Sequence, residues 1–400
     1  METAIPSPTL LSRSYRIDSI DLLRGLVMII MALDHTRDFF HAAALTDDPL
    51  NLQTTTPALF FTRWITHICA PVFVFLSGTS AYLQGLRKPK KELSVFLLKR
   101  GLWLILAEIC IVSLAITFDI TYSFTVLQVI WAIGVSMVIL GFTIFLPFNV
   151  ILVMGAMIVL GHNLLDYMEV AHKSPFPMWY ALLHVRSTYP LFKNHMVGIL
   201  YPFLPWTGVM MLGYCFGSIF GKNRERSNTV TIFTGCTLLV FFAVLRMIDG
   251  YGDPLHWEVQ KSGLFTFFSF INTQKYPPSL LYLCVTLGPA LIFMGLAGKV
   301  SNRLSRIITV YGRVPFLYYV VHFYILHLIS AVLYLQRGHT LKQGLAGIPN
   351  FPFRFMASGE GYSLGLTYLI WLSVVIALYP VCKWFGRYKQ IHKSTWLSYL

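Results

Sequence analysis

Apolar positions run in long blocks along the chain, most of them near the roughly 20 residues that a bilayer-spanning helix needs. Ten blocks predict helices over 18–40, 59–85, 96–118, 124–146, 148–165, 203–221, 229–249, 279–298, 310–335 and 362–384. The fifth and sixth are the weakest. The second and ninth exceed one span, which predicts tilt or projection into an interface. Only Pro147 and its neighbours separate the fourth from the fifth, a tight hairpin. The predicted fold class is all-α, a polytopic transmembrane helical bundle of about ten helices with both termini cytoplasmic. Residues 1–17 are read as a cytoplasmic N-terminal tail, 18–385 as the membrane domain and 386–400 as a cytoplasmic C-terminal tail.

Orientation follows from the basic residues. With the N-terminus inside, inner loops receive Arg87, Lys88, Lys90, Lys91, Lys99 and Arg100, then Lys222, Arg224 and Arg226, then Lys299, Arg303 and Arg306. Lys383, Arg387, Lys389 and Lys393 follow at the last inner end. The opposite loops hold Asp47, Asp48, Asp119, Asp166, Glu169, Asp253, Glu258 and Glu360. This asymmetry fits the positive-inside rule. Three outer segments, 166–201, 250–278 and 336–361, are too long for plain turns and carry interface-favouring rings such as Trp179, Tyr189, Trp257, Phe351 and Phe353. They are read as a partly ordered outer cap or as interfacial anchors.

Composition agrees with this class. Hydrophobic residues make up 56% of the 400 and charged residues 12%, about half the share of a soluble domain. Mean hydropathy is +0.64. The net charge of +14 invites nucleic acid as a partner, but the cations sit in short clusters between apolar blocks, so the expected partner is the lipid bilayer and no nucleic acid. Cysteines 69, 110, 215, 236, 284 and 382 lie in apolar blocks without CxxC pairs or zinc-finger histidines, and no metal is expected. Arg13 and Arg16 precede an apolar block too long for a signal peptide, which reads as an uncleaved first helix.

The first block, SIDLLRGLVMIIMALDHTRDFFH over 19–41, carries the candidate chemistry. A charged side chain deep in a spanning helix costs roughly 2.5–3.5 kcal/mol on insertion scales, so Asp34, His35, Arg37 and Asp38 form a site hypothesis. Asp38 is i+3 from His35 and i+4 from Asp34, and His41 is i+3 from Asp38, so one helix face can join acids to imidazoles. An acid beside a histidine can hold its tautomer for general-base work. An interfacial ion cluster in which Arg37 neutralises an aspartate explains the same residues equally well.

Elsewhere the signals are weaker. His67 enters the second helix at a depth similar to His35, which points to a shared cavity, although a lone histidine on an apolar helix is more often a satisfied core residue. Ser77, Gly78 and Ser80 read as small packing residues, with no serine-hydrolase spacing. His322 and His327, five residues apart, diverge around the ninth helix and make a poor metal pair. Glu108 and Gln128 are buried polar groups as suited to holding helices together as to touching a ligand. Lys275 and Tyr276, before paired prolines, stand at an outer mouth that suits a polar acceptor or simply a helix start. Arg100, Arg303, Arg306 and Arg313 near inner helix ends offer phosphate partners, and anionic lipid accounts for them as well.

These motifs resemble a known family. Arg16, Ser-Ile-Asp at 19–21, Leu-Arg-Gly at 23–25 and Asp-His at 34–35 resemble the opening of transmembrane acyltransferases, especially bacterial relatives of the heparan-alpha-glucosaminide N-acetyltransferase catalytic domain. Thr66–Gly78, Lys-Tyr-Pro-Pro-Ser at 275–279, Thr-Leu-Gly-Pro-Ala at 286–290 and Tyr311–Tyr319 running into His322 continue the likeness. The resemblance implies a multi-helix bundle in a bacterial inner membrane, with acetyl-CoA as co-substrate. The acetyl group would pass to a sugar or glycan hydroxyl or amine.

In related acyltransferase type 3 proteins the functional histidine follows the Arg-Gly of helix 1, which maps onto His35. The lysosomal enzyme departs from this pattern, so His41 and His67 stay open. With Asp34 and Asp38 these make the catalytic candidates. Arg100, Arg303, Arg306 and Arg313 are the cofactor candidates, and Arg37, Lys275, Tyr276, His322 and His327 the substrate candidates. A homodimer is compatible with this reading. The rival function is a proton-coupled transporter using the same His and Asp residues, although no inverted repeat is visible. A non-catalytic scaffold leaves the charge of helix 1 unexplained.

Overall fold

A computed structural model describes residues 18–172, 175–192, 194–220, 224–298, 300–347, 352–392, 394 and 397. Arg13, Arg16, Lys222, Lys299, Phe351, Lys393 and the predicted tail 1–17 lie outside the described residues.

Six described helices are long and apolar enough to cross a membrane. They are α2 (Pro57–Gly85), α5 (Phe148–Ala171), α8 (Arg224–Ile248), α10 (Leu280–Ala297), α12 (Pro315–Gln336) and α14 (Leu364–Ile391). Two shorter apolar helices, α4 (Val129–Thr143) and α7 (Phe203–Ile219), accompany them. The charged first helix α1 is Asp18–Phe40, and α3 covers 90–117 with a π turn at Glu108–Val112. Short elements fill the rest: α6 (Met178–Leu183), α9 (Gly263–Ile271), α11 (Arg303–Gly312) and α13 (Leu341–Ala346).

The structure departs from the expected all-α pattern in three places. Residues Phe124–Leu127, read as the start of a helix, form β1. It pairs in parallel with β3 (His195–Ile199), which pairs antiparallel with β2 (Ser187–Phe192). Phe-Thr-Val-Leu is β-prone, and its last two residues are buried. The block 310–335 is not one helix, because Pro315 takes the first position of α12 and the chain breaks after Gly312. The last helix runs to Ile391, so part of the predicted C-terminal tail is helical.

Helix α1 is the hub. It packs against α2, α10, α11, α12 and α14, and its buried side chains point in all directions, as in a central helix. Its contact with α11 is backbone on backbone. A Cβ on Gly25 would stand 2.0 Å from the Ile308 carbonyl oxygen, and one on Gly312 would stand 1.9 Å from that of Asp21. Only glycine permits this approach. Large apolar residues such as Met157, Phe233, Val240 and Ile376 are exposed on α5, α8 and α14, a perimeter suited to lipid.

Two buried charges hold the frame. Glu108, fully buried in the π turn of α3, accepts the backbone N–H groups of Gln128 (3.0 Å) and Trp131 (3.1 Å) and so caps α4 from outside the helix. Arg246 donates to the carbonyls of Phe270, Ser269 and Asn272 and pins the 250–278 segment to α8.

Candidate active site

Two cavities meet at the centre of the bundle. The larger, about 530 Å³, lies between α1, α2, α3, α4 and the start of α12. Its walls carry six cations: Arg24, Arg87, Lys88, Arg100, Arg313 and Lys389. The smaller, about 30 Å³, is lined by polar groups that include Asp34, His35, Thr66, Gln128, Tyr201 and Lys275. Phe73, Val129 and Tyr319 line both and form the partition between them.

His35 is the chemically distinctive group in the small cavity. Its Nδ1 lies 2.7 Å from Nε2 of His322, and the two rings stack with centroids 5.0 Å apart. His322 is wholly buried, and its Nδ1 lies 2.9 Å from the Tyr318 carbonyl oxygen. A carbonyl only accepts, so His322 Nδ1 carries the proton, and its Nε2, in the neutral ring, is an acceptor. His35 Nδ1 must then donate, which leaves His35 Nε2 with a free lone pair. Partly accessible beside the cavity, and packed against the Phe323 ring at 4.1 Å, this imidazole is set up as a base.

The aspartates do not orient it. Arg37 donates to Asp34 (3.2 Å) and to Asp38 (2.5 Å), and Arg63 donates to the other oxygen of Asp34. The expectation that Asp34 or Asp38 holds His35 is replaced by a buried ion cluster, with His322 as the partner of the ring. Adjacent helical residues diverge by about 100°, so the one-residue step from Asp34 to His35 points them at different neighbours. Asp34 still lines the cavity wall.

The other candidates scatter. His67 is buried with its ring beside Tyr282 (5.4 Å) and no partner for Nε2 among the described residues; it is absent from the small cavity's lining, although Thr66 and Cys69 are there. His41, two turns beyond His35, accepts from the Ala43 N–H and pairs through its backbone with Tyr362 in a separate crevice. His327 stands between the Ala115 and Arg354 carbonyls, at 3.1 Å from each, and stacks on Phe118 at 3.8 Å, a fastening rather than a ligand. Both histidines of α12 are therefore buried, one towards the site and one away from it.

Lys275 reaches the small cavity, and Tyr276 stands beside it under two cations, with Lys275 Nζ and Arg186 Cζ each 5.2 Å from its ring centre. Burial works to raise the Tyr276 phenol, but Lys275 and Arg63 outweigh it and hold the group below its ordinary value. On the inner side, Arg100 and Arg313 line the large cavity, whereas Arg303 and Arg306 are exposed on α11 away from its walls. The Arg313 Nε finds no hydrogen-bond partner among the described residues. Sequence reasoning missed Arg24 as a wall residue, anchored to Asp21, Ser80 and the Gly312 carbonyl, and missed Tyr319 at the partition. The Arg-Gly step beside an acid was the available signal for Arg24, and the 311–319 motif ended on Tyr319 without marking it as a cavity wall.

The family described as heparan-alpha-glucosaminide N-acetyltransferase, catalytic, matches residues 16–246, more than half of the chain. The match includes His35 and His67 and stops before the Lys275, Arg313 and His322 segments. No curated protein matches the chain. The match spans most of the residues that line the histidine pocket and its cationic neighbour, and the chain belongs to the heparan-alpha-glucosaminide N-acetyltransferase catalytic family, a family of membrane acetyltransferases.

Proposed function

We propose that this protein moves an acetyl group from cytoplasmic acetyl-CoA to a hydroxyl or amine of a sugar or glycan, with His35 as general base. The observation that carries the reading is the chain Tyr318 carbonyl, His322, His35, which leaves a lone pair on His35 Nε2 beside the small cavity. The acceptor nucleophile attacks the thioester carbonyl while its proton passes to His35 Nε2. The new C–O or C–N bond forms, the C–S bond breaks, and the imidazolium returns the proton to the departing thiolate. His322 neutralises nothing. It fixes the tautomer and ring plane of His35, the role that a third group has in a nucleophile–base pair.

The large cavity suits the donor. Its volume is in the range of small-molecule sites, and six wall cations answer the phosphates of a nucleotide. Lys275, Tyr276 and Asp34 line or flank the small cavity, where they suit a hydroxyl-rich acceptor. Positive-inside orientation puts the cationic cavity at the cytoplasmic face and the acceptor at the outer face of a bacterial inner membrane, with about ten spans and both termini inside.

Purified protein in nanodiscs, given radiolabelled acetyl-CoA and a panel of glycans, tests the reading. Labelled glycan made by the wild type and lost in His35→Gln supports it. Unchanged turnover in a folded His35→Gln protein would falsify the assignment, and label on the wild-type protein before acceptor is added, labile to acid and hydroxylamine and lost in His35→Gln, would convert the base into an acyl carrier. Uptake of a solute by proteoliposomes without any acyl donor favours the transporter instead.

A further inference from the structure

A second histidine pair lies away from the acetyl-transfer site, with His162 in the last part of α5 and His184 at the C-terminal end of α6. His184 is wholly buried; its Nδ1 lies 2.6 Å from Glu169 Oε1, and its Nε2 lies 3.0 Å from Nδ1 of buried His162. Asp166, one turn before Glu169 on α5, completes the group: one oxygen from each acid and one nitrogen of His184 fall within 4.8 Å of one another. Among the described residues no lysine or arginine forms an ion pair with either carboxylate.

We propose that Asp166, Glu169 and His184 bind a divalent cation of the zinc class. Two carboxylates and one imidazole are a donor set that zinc accepts, with a water in the fourth position. Tetrahedral zinc at about 2.0–2.2 Å from each donor sets donors about 3.4 Å apart, so His184 Nδ1 and Glu169 Oε1, now 2.6 Å apart, part by about 0.8 Å, and a pair at the 4.8 Å limit closes by about 1.4 Å. Binding at Nδ1 takes the neutral Nε2–H tautomer of His184, so the ring proton moves from Nδ1 to Nε2, His162 carries its own proton on Nε2, and the neutral pair keeps both protons. His184 Nε2 then donates to His162 Nδ1, the outer partner that a ligating imidazole usually has. That partner is already in position at 3.0 Å and fully sequestered. The proposal departs from the expectation of no metal, which rested on sequence motifs: Glu169 and His184 are fifteen residues apart, a spacing that no such motif covers.

The site is also wired to the acceptor side. Asn163 donates to Asp166 (2.6 Å) and accepts the Leu280 N–H (2.9 Å), the start of the helix that follows Lys275 and Tyr276. A bound cation would thereby brace the Lys275–Tyr276 segment. The proposal does not depend on the acetyltransferase reading.

The test is metal content. Full-length protein in nanodiscs is stripped with chelator, dialysed against buffered Zn2+ and assayed by elemental mass spectrometry. One zinc per chain is expected, falling at least tenfold in Glu169→Gln and Asp166→Asn. X-ray absorption on the wild-type protein keeps the test decisive should a variant misfold, with an oxygen and nitrogen shell at about 2.0–2.2 Å and no sulfur near 2.3 Å expected. Zinc no higher than in a buffer blank, equal retention by folded variants, or a sulfur shell would overturn the site.

Discussion

The two histidine pairs differ in what stands behind the inner ring. Both join an Nδ1 to an Nε2, at 2.7 Å in His35–His322 and 3.0 Å in His162–His184. The first chain ends on a backbone carbonyl, the second on the Glu169 carboxylate. A carbonyl can only accept a proton donor, so it fixes the direction of the whole chain and leaves a basic nitrogen at the cavity. A carboxylate also accepts a metal, so the second chain, with its ring protons shifted one nitrogen outward, can seat a cation between Glu169 and His184 in place of the hydrogen bond. Under the two proposals, similar geometry serves a base in one place and a ligand in the other, and the terminal acceptor is what separates them.

The largest expected effect separates the pairs outright. His35→Ala should lower acetyl transfer by about 10²–10⁴, the range for loss of a general base. His162→Ala, which removes only the far ring of the second pair, should cost less than about tenfold. Single-turnover kinetics with labelled acetyl-CoA measure both, and comparable losses would erase the distinction drawn between them.

Next in size is His322→Phe. It keeps the ring stack and removes the acceptor that holds the His35 tautomer, so kcat should fall about 10–100-fold while the acceptor KM stays within twofold. The double variant His35→Ala/His322→Phe should be no slower than His35→Ala alone, because residues acting as one unit are not additive. Additive losses would mean that His322 works independently of His35.

A smaller effect is expected at the inner cavity. If the large cavity holds the donor as proposed, Arg313→Ala should raise the KM for acetyl-CoA about tenfold with kcat unchanged, an effect that shrinks as salt is raised. Arg306→Ala, exposed on the same α11 region but outside the cavity wall, should leave that KM unaltered. Equal shifts at both positions would assign the arginines to lipid rather than to the donor.

What the chain revealed by itself follows from the range of each interaction. Helix α1 was legible to the residue because hydrophobic length is local, and His35 stood out because charge in that block is costly. The Gly25–Gly312 contact could not be read, since a close approach between residues nearly 290 positions apart leaves no local trace. The partner of His35 was misassigned for the same reason: aspartates at one-turn spacing are visible in sequence, whereas His322 is brought up by the packing of α12 on α1. The β1 strand was hidden because the short run Phe-Thr-Val-Leu fits a helix or a strand equally well, and burial beside β3 decided between them.

The smallest and most specific test lies at the partition. Tyr319 lines both cavities, sets its ring edge-on to His35 at 6.2 Å and donates weakly to Gln128 at 3.4 Å. What the ring contributes is bulk: it stands between the two cavities, the proposed donor and acceptor chambers. Tyr319→Phe keeps that bulk and should change transfer by less than about threefold. Tyr319→Ala opens the wall, and water should then compete with the acceptor for the thioester. The expected reading is a severalfold rise in acetyl-CoA hydrolysis relative to acetyl transfer, measured as free CoA against acetylated glycan. An unchanged ratio in Tyr319→Ala would mean that the two cavities are kept apart by Phe73 and Val129 alone, and a fall in both rates together would place the tyrosine in donor binding instead.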